Sequence, residues 1–379
     1  MQALENLDRR SMYSLEWDRL KKFVSEEALS VVAKKRCLEL PLFDEHEQVN
    51  LLLSQSRESL SLIENRAALI TQAVPDVDGL SMRIEAGSRV STEELLAIKD
   101  LLMVTQKVSG SLRLLNEDSF PSISVFKTRL TVLENIRSEI EKCLDDKGEI
   151  KDEASSELKR IRSTIRKLHA SINDDLSKLI HTPKISQSLQ ESIITKRNDR
   201  YVIAVSASKR SSVNGIVHDT PQSGLTVYVE PISIVEPTNR IRILEVEEER
   251  EIERIIDQLT ELCRENILAI RENFETLTEL DVIQAKAKLA HKYDGIKPDI
   301  NDGEDDTIHL IESRHPLLVL QGGEVVANTV TISATDRTLV ITGPNTGGKT
   351  VLLKQIGLIS MMVKAGFLIP ACPGSSLPV

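Results

Sequence analysis

Apolar residues recur every three to four positions through most of this chain, with polar residues between them. From residue 14 to about 119 that spacing predicts several helices. "LEWDRLKKFVSEEALSVVAKKRCLEL" and "EQVNLLLSQSRESLSLIENRAALI" both keep it. "STEELLAIKDLLMVTQKVSGSLRLL" adds a start signal: Ser91 precedes Glu94 by three residues, the spacing of a reciprocal helix cap. Pro121, in "SFPSI", interrupts the run because proline has no N–H for a helix interior. Residues 122–181 are helical again, with a break near "DDKGEI".

The pattern then changes. "RYVIAVSASKRSSVNGIVHDTPQSGLTVYVEP" is rich in Val, Ile, Tyr and Thr and is punctuated by Gly215 and "TPQSG". It predicts three short strands in a small antiparallel sheet. From about Pro237 to Lys292 the helical period returns. Cys263, Ile267, Ile270, Phe274 and Leu277 step by four and three as one apolar seam. At ~1.5 Å per residue such a helix is a rod of roughly 75–80 Å. "GIKPDINDGEDD" reads as a linker. Beyond it "TIHLIESRHPLLV", "EVVANTVTIS" and "TLVITG" read as strands, and "TVLLKQIGLISMM" as a helix.

Composition narrows the reading. Aromatic residues make up only 3% of the 379 positions, which favours long helices over a large all-β fold. A net charge of −10 excludes a uniformly basic coat, so nucleic-acid contact requires local patches. Two stand out. Lys159, Arg162 and Arg166 share a helix face, with Arg160 and Lys167 close by; a solvated face and a phosphate-contacting face explain them equally well. Lys196, Arg197, Arg200, Lys209 and Arg210 surround the predicted strands against one acid, Asp199. The four cysteines lie far apart, without metal-ligand spacing, which fits a reducing compartment. The first twenty residues show no apolar signal core, and the expected location is cytoplasmic, or an organelle stroma or matrix if a targeting segment has been removed. No membrane span is expected, since Lys354 and Lys364 interrupt the most apolar stretch.

"GPNTGGKT" has the spacing of a phosphate-binding loop, G-x-x-x-x-G-K-S/T, between a predicted strand and a predicted helix. Gly343, Pro344, Asn345, Thr346, Gly347, Gly348, Lys349 and Thr350 are the candidate nucleotide ligands. The glycines let backbone N–H groups turn toward anionic oxygens, and the helix offers them its positive end. Lys349 supplies a charge for the β and γ phosphates, and Thr350 a hydroxyl for Mg²⁺. The expected cofactors are ATP and Mg²⁺. Hydrolysis also needs a carboxylate on a neighbouring strand. After Asp336 the sequence has no Asp or Glu, and neither Glu324 nor Asp336 ends a long apolar strand. A truncated ATPase, inactive alone and with no catalytic residue of its own, is the resulting expectation.

The Pro-Asn pair after the first glycine of "GPNTGGKT" resembles the Walker loop of the MutS family. "ESRHPLL" resembles the opening of the MutS ATPase domain, and "LTELDVIQAKAKLA" the end of its lever helix. The stretch from "RYVIAV" to "VEPTNRI", with "SLEWDRL" near the start, is similar to the type-2 branch, often described as endonucleases. The resemblance covers nearly the whole chain and implies a mainly α fold with a small antiparallel β clamp, followed by the start of a P-loop α/β ATPase domain. The implied domains are an N-terminal helical core (1–121), a first helical arm (122–195), the β clamp (196–236), a returning lever helix (237–294) and an incomplete ATPase part (307–379). It implies a homodimer that binds ATP and clamps branched or structured DNA, in repair or suppression of recombination. The clamp cations named above would touch phosphates. The alternatives are a ribosome- or rRNA-binding factor acting on collided ribosomes, and a non-catalytic binding and dimerisation fragment. The family's mismatch-reading wedge, Walker B acid and nuclease (Smr) domain have no counterpart here. Val325 or Val326 stands where classical members place an aromatic residue.

Overall fold

The computed structural model describes residues 10–220, 225–301, 305–333, 335, 338–342 and 348–379. Its main elements run in the order α1 (Trp17–Glu27), α2 (Val31–Leu38), α3 (His46–Glu64), α4 (Asp78–Glu85), α5 (Thr92–Arg113), α6 (Glu134–Cys143) and α7 (Ser156–Ile180). A sheet follows, with β1 (Leu189–Arg197), β2 (Arg200–Ser206), β3 (Gly215–Asp219) and β4 (Thr226–Pro231). Then come α8 (Ile232–Glu265), α9 (Ile267–His291), β5 (Asp299–Ile300), β6 (Ile308–Ser313), β7 (Asn328–Ile332), α10 (Lys349–Lys364) and β8 (Ser376–Leu377). The fold is mainly helical with two small sheets, as the residue pattern predicts. The chain divides into two compact units, one from Met1–Ser88, Ala97–Arg137 and Cys263–Val379, the other from Arg89–Leu96 and Ser138–Leu262.

In the first unit α9 is a core helix buried on most of its surface. Ile270, Phe274, Leu277, Ala285, Ala287 and Leu289 are buried, and so are Asn273, Asp281, Gln284 and Lys286. Polar groups out of water are costly unless paired. Here each of them holds backbone. Asn273 exchanges two hydrogen bonds with Thr131, both 2.8 Å. Asp281 accepts from the N–H groups of Leu29 and Ser30 at 3.1 and 2.8 Å, at the start of α2. Gln284 accepts from Ile70 N–H and donates to its carbonyl. The Lys286 ammonium donates to Ala365 O at 2.7 Å. Around this helix pack Trp17, Leu20 and Val24 of α1, Val49 and Leu53 of α3, and Leu358, Ile359 and Met362 of α10.

The predicted seam is real: Cys263, Ile267, Ile270, Phe274 and Leu277 are all buried. The single long helix is two, however. Asn266 lies between α8 and α9 at φ −115°, ψ 16°, outside helical geometry. Asparagine competes with the helix for backbone bonds, which suits it to such a joint.

The second sheet of the fold, in the first unit, has the order β5-β8-β6-β7. β5 pairs with β8 in parallel, and β6 pairs antiparallel with β8 and with β7. "TIHLIESRHPLLV" is β6 followed by a short helix, Pro316–Leu320, because Pro316 suits a first helical turn. The strand expected from "TLVITG" is not formed: residues 338–342 carry no strand, and Leu339 and Val340 are 44% and 76% exposed. An apolar run becomes a strand only where a neighbour takes its backbone bonds, and among the described residues β7 is the last member of the sheet on that side.

The second unit contains the other sheet, ordered β1-β2-β4-β3 and antiparallel throughout. It has one strand more than predicted. β1 is mostly exposed and shows no clean alternation, so period two could not reveal it. Ile172, Leu176 and Ile180 of α7 pack on Ile203, Val205, Val227 and Val229, with Ile234 and Ile241 of α8 closing the cluster. Ser155 caps α7 by accepting from Leu158 N–H at 2.9 Å. Among the described residues no helix is long and apolar enough to cross a membrane.

Candidate functional site

Helix α10 starts at Lys349, and the residue before it, Gly348, is left-handed at φ 76°. Among the described residues nothing lies within 4 Å of a Cβ placed at Gly348, so it is this φ that calls for glycine. Gly343, Pro344, Asn345, Thr346 and Gly347 lie outside the described residues. Lys349 is half-buried and Thr350 is exposed on the first turn.

A cleft of about 470 Å³ opens beside this helix start. Gly348, Lys349, Val351, Leu352 and Gln355 form one wall, and Leu318 of the short helix another. Glu324, Val325, Val326 and Asn328 lead into β7 along a third side, and Ile341 and Thr342 complete the lining. Thus Gly348 and Lys349 face the same space as Val325 and Val326, while Thr350 is not among the residues lining it. Glu324, which sequence reasoning set aside, is the carboxylate among the described lining residues. The buried Gln355 donates to Ser313 Oγ at 2.7 Å, and its Oε1 has no hydrogen-bond partner among the described residues. Leu318 and Gln355 carried no sequence signal beyond their apolar or helical context.

The sheet cations divide into two groups. Lys196 and Arg197 are exposed. The Lys196 ammonium lies 4.7 Å from the Tyr201 ring centre, and the Arg197 guanidinium 4.8 Å from that of Tyr228. Tyr201 is itself held by a 2.7 Å bond between its hydroxyl and His169 Nδ1. Burial, helped by the Lys196 charge, keeps His169 below the usual histidine range. The other three cations are engaged internally. Arg200 sits 3.4 Å from the buried carboxylate of Glu230, which also binds His218 Nε2 at 2.6 Å. Arg210 donates to the carbonyls of Val213 and Gly215 at 2.7 and 2.6 Å. Lys209 donates to Gln187 O at 2.8 Å.

The basic face of α7 is largely neutralised. Arg162 bridges Asp152 and Glu248 at 2.9 and 2.7 Å, Arg166 meets Asp152, and Arg160 meets Glu157. Lys159 lies 3.6 Å from Glu153. The solvated-face reading fits this helix better than a phosphate-contacting one.

No family model matches the chain. Curated relatives do. Endonuclease MutS2 of Geobacillus sp. (strain WCH70) is 36% identical over 372 residues, 98% of this chain and 47% of the relative. Endonuclease MutS2 of Bacillus velezensis is 35% identical over 375 residues, with the same coverage of 98% and 47%. Putative endonuclease MutS2 of Bacillus subtilis (strain 168) is 36% identical over 375 residues, again 98% and 47%. The chain is MutS2-like.

The MutS2-like chain spans about half the length of these relatives. Three of the segments that carry its resemblance sit at joints of the first unit. Trp17, from "SLEWDRL", meets Phe367 edge-on with ring centres 5.9 Å apart. "LTELDVIQAKAKLA" supplies Asp281, Gln284 and Lys286, three of the buried polar holds on α9. "ESRHPLL" ends β6 and brings Leu318 to the cleft.

Proposed function

We propose that this chain binds ATP with Mg²⁺ in the cleft at the start of α10, and that the whole protein uses that nucleotide while clamping branched or structured DNA. One observation carries the reading: a left-handed glycine and a lysine at a helix N-terminus line a cleft of nucleotide size. Gly343 to Thr350 would hold the phosphates, with Lys349 as the cation and the Thr350 hydroxyl toward Mg²⁺. Val325 and Val326 would pack on the base as aliphatic surface. Among the described residues no group of three or more His, Cys, Asp or Glu side chains is placed to hold a metal ion. Mg²⁺, which keeps waters and binds through few protein groups, would arrive with the phosphates. Bound there, it would offset phosphate charge.

The chain would contact nucleic acid through exposed Lys196 and Arg197. The names of the relatives, endonuclease MutS2, support a DNA-related role. A cytoplasmic homodimer acting in repair or suppression of recombination is the form we propose for the whole protein; its nuclease activity is proposed on those names. Backbone contacts of this kind are also available on ribosomal RNA, so a four-way junction and ribosomes should be competed for the full-length protein. Preference for the ribosome would replace the DNA reading. For the nucleotide, calorimetric titration of ATP·Mg²⁺ should show binding that Lys349→Ala weakens by roughly 1.5–3 kcal/mol. Equal affinity in the variant would remove Lys349 from the site.

A further inference from the structure

Helix α10 is held at the end opposite its phosphate-loop residues. Lys364 O accepts from Phe43 N–H at 3.0 Å. Ala365 O accepts from the Lys286 ammonium at 2.7 Å, Gly366 O from Ser56 Oγ at 2.6 Å, and Leu368 O from the Tyr293 hydroxyl at 2.9 Å. Gly366 is left-handed at φ 74°, and a Cβ there would lie 2.5 Å from Leu52 Cβ, so this turn sits directly against α3.

Lys286 is the unusual member of this set. It is 4% exposed, and its ammonium also lies 5.5 Å from the Phe367 ring centre. Among the described residues no carboxylate is within ion-pair distance of it. Its partners are a helix-end carbonyl and an aromatic face, both of which attract a cation. Burying a charge this way is costly, and an apolar side chain of equal length would fill the space at lower cost. The neighbouring carbonyls are held by neutral donors, which shows that the turn does not require a charge merely to be bonded. The charge therefore calls for an explanation beyond packing.

We propose that Lys286 is a positioning residue for the phosphate site: by fixing the C-terminal end of α10 to α9, it sets where the N-terminal end meets the phosphates. A 16-residue helix is about 24 Å of stiff rod, so an axial shift at one end appears at the other. Groups that must meet a phosphate tolerate little displacement, because hydrogen bonds weaken steeply once donor and acceptor part by more than a few tenths of an ångström from about 2.7–3.2 Å. This inference rests on the nucleotide reading of α10, and its test separates the two.

The test uses the whole 379-residue chain, with ADP as probe. Lys286→Met is one atom shorter, stays unbranched, and removes the charge and the donor. It should weaken ADP binding about 10-fold, the scale of one hydrogen bond lost. It should also speed amide exchange over the first turns of α10 without nucleotide, and change the melting temperature little, because leaving the Ala365 carbonyl without its donor is set against relief of the buried charge. A second readout needs no variant. Burial, the leading cause, lowers the Lys286 amine to about 8. Cys37 and Glu279 are the titratable groups acting on it. The Cys37 thiol, pushed up to about 12 by burial, stays neutral through that range, and Glu279 is paired with Arg129 at 2.8 Å. ADP affinity of the unaltered chain should therefore weaken as pH rises through about 8, and be flat in Lys286→Met. Unchanged exchange in the variant, or a flat profile in the unaltered chain, overturns the proposal. If the unaltered chain does not bind ADP at any pH, the nucleotide reading fails, and exchange in α10 alone decides whether Lys286 positions the helix.

Discussion

Glu16 and Lys354, 338 positions apart, form an ion pair, with Lys354 Nζ 3.1 Å from Glu16 Oε2. Glu16 also meets Arg19 at 3.2 Å, and the bond from Lys354 is the first reason its carboxyl is held below the usual range. Lys354 belongs to α10, so the segment before α1 is tied to the helix that bears the phosphate-loop lysine. Each partner is about one-third exposed, at 34% and 35%. A double-mutant cycle with Glu16→Gln and Lys354→Met should therefore give a coupling below ~1 kcal/mol that shrinks further in salt. A coupling above ~2 kcal/mol would mean the pair is far better shielded than this geometry indicates.

Two left-handed glycines should respond differently to alanine. Gly366→Ala meets Leu52 Cβ at 2.5 Å and Leu52 backbone at 3.2 Å. We expect a loss of about 3 kcal/mol or more in urea denaturation, since strain and overpacking add. Gly348→Ala meets nothing within 4 Å among the described residues and should lose only ~1–2 kcal/mol, with its larger effect on phosphate binding. Equal losses would show that Leu52 can move aside.

The sheet cations should separate by salt dependence. Each phosphate neutralised on duplex DNA contributes about −0.9 to the slope of log K against log salt. Lys196→Ala with Arg197→Ala should flatten that slope by up to ~2. Arg210→Ala, which frees two backbone carbonyls, should instead lower the stability of the sheet. Binding measured from 50 to 200 mM salt, as an approximate range, checks this; a slope that responds only to Arg210 would reverse the assignment.

Acid should weaken the second unit through Glu251. Hydrogen bonds from Arg254, the largest cause, and from Ser155 lower its carboxyl from 4.5 to about 2. The folded value lies below the unfolded one, so the stabilisation is fully present above pH 4.5 and is lost as pH falls toward about 2. Urea midpoints of the unaltered chain should fall across that window more than those of Glu251→Gln. Parallel curves for the two would exclude Glu251 as a source of the acid response.

What the sequence made legible was what periodicity records. The seam from Cys263 to Leu277 is buried, and α10 begins where the glycine-lysine spacing put it. Side-chain partners contributed by distant residues were not legible. Arg210 read as a free cation because nothing local announces that its guanidinium turns back onto Val213 and Gly215. Nothing in the helical period of α9 marks Asn273, Asp281, Gln284 and Lys286 as different from its other polar residues, although each of these four holds a backbone segment brought from elsewhere in the chain. Residues 338–342 are apolar enough for a strand, yet a strand is decided by a neighbour, which no single segment encodes. Glu324 was set aside for its sequence context, and only the path of the chain into β7 brings it to the cleft.

The order of the mixed sheet also governs when that sheet can form during synthesis. Ser376–Leu377 lies between β5 and β6, bonding to the first in parallel and to the second antiparallel. A growing chain that has already made β5 and β6 cannot join them until Ser376, 63 residues beyond Ser313, has emerged, and contacts across such a separation form slowly. Until then both strands present open edges, and the sheet beside the cleft is the part of the first unit most dependent on shielding from other nascent chains.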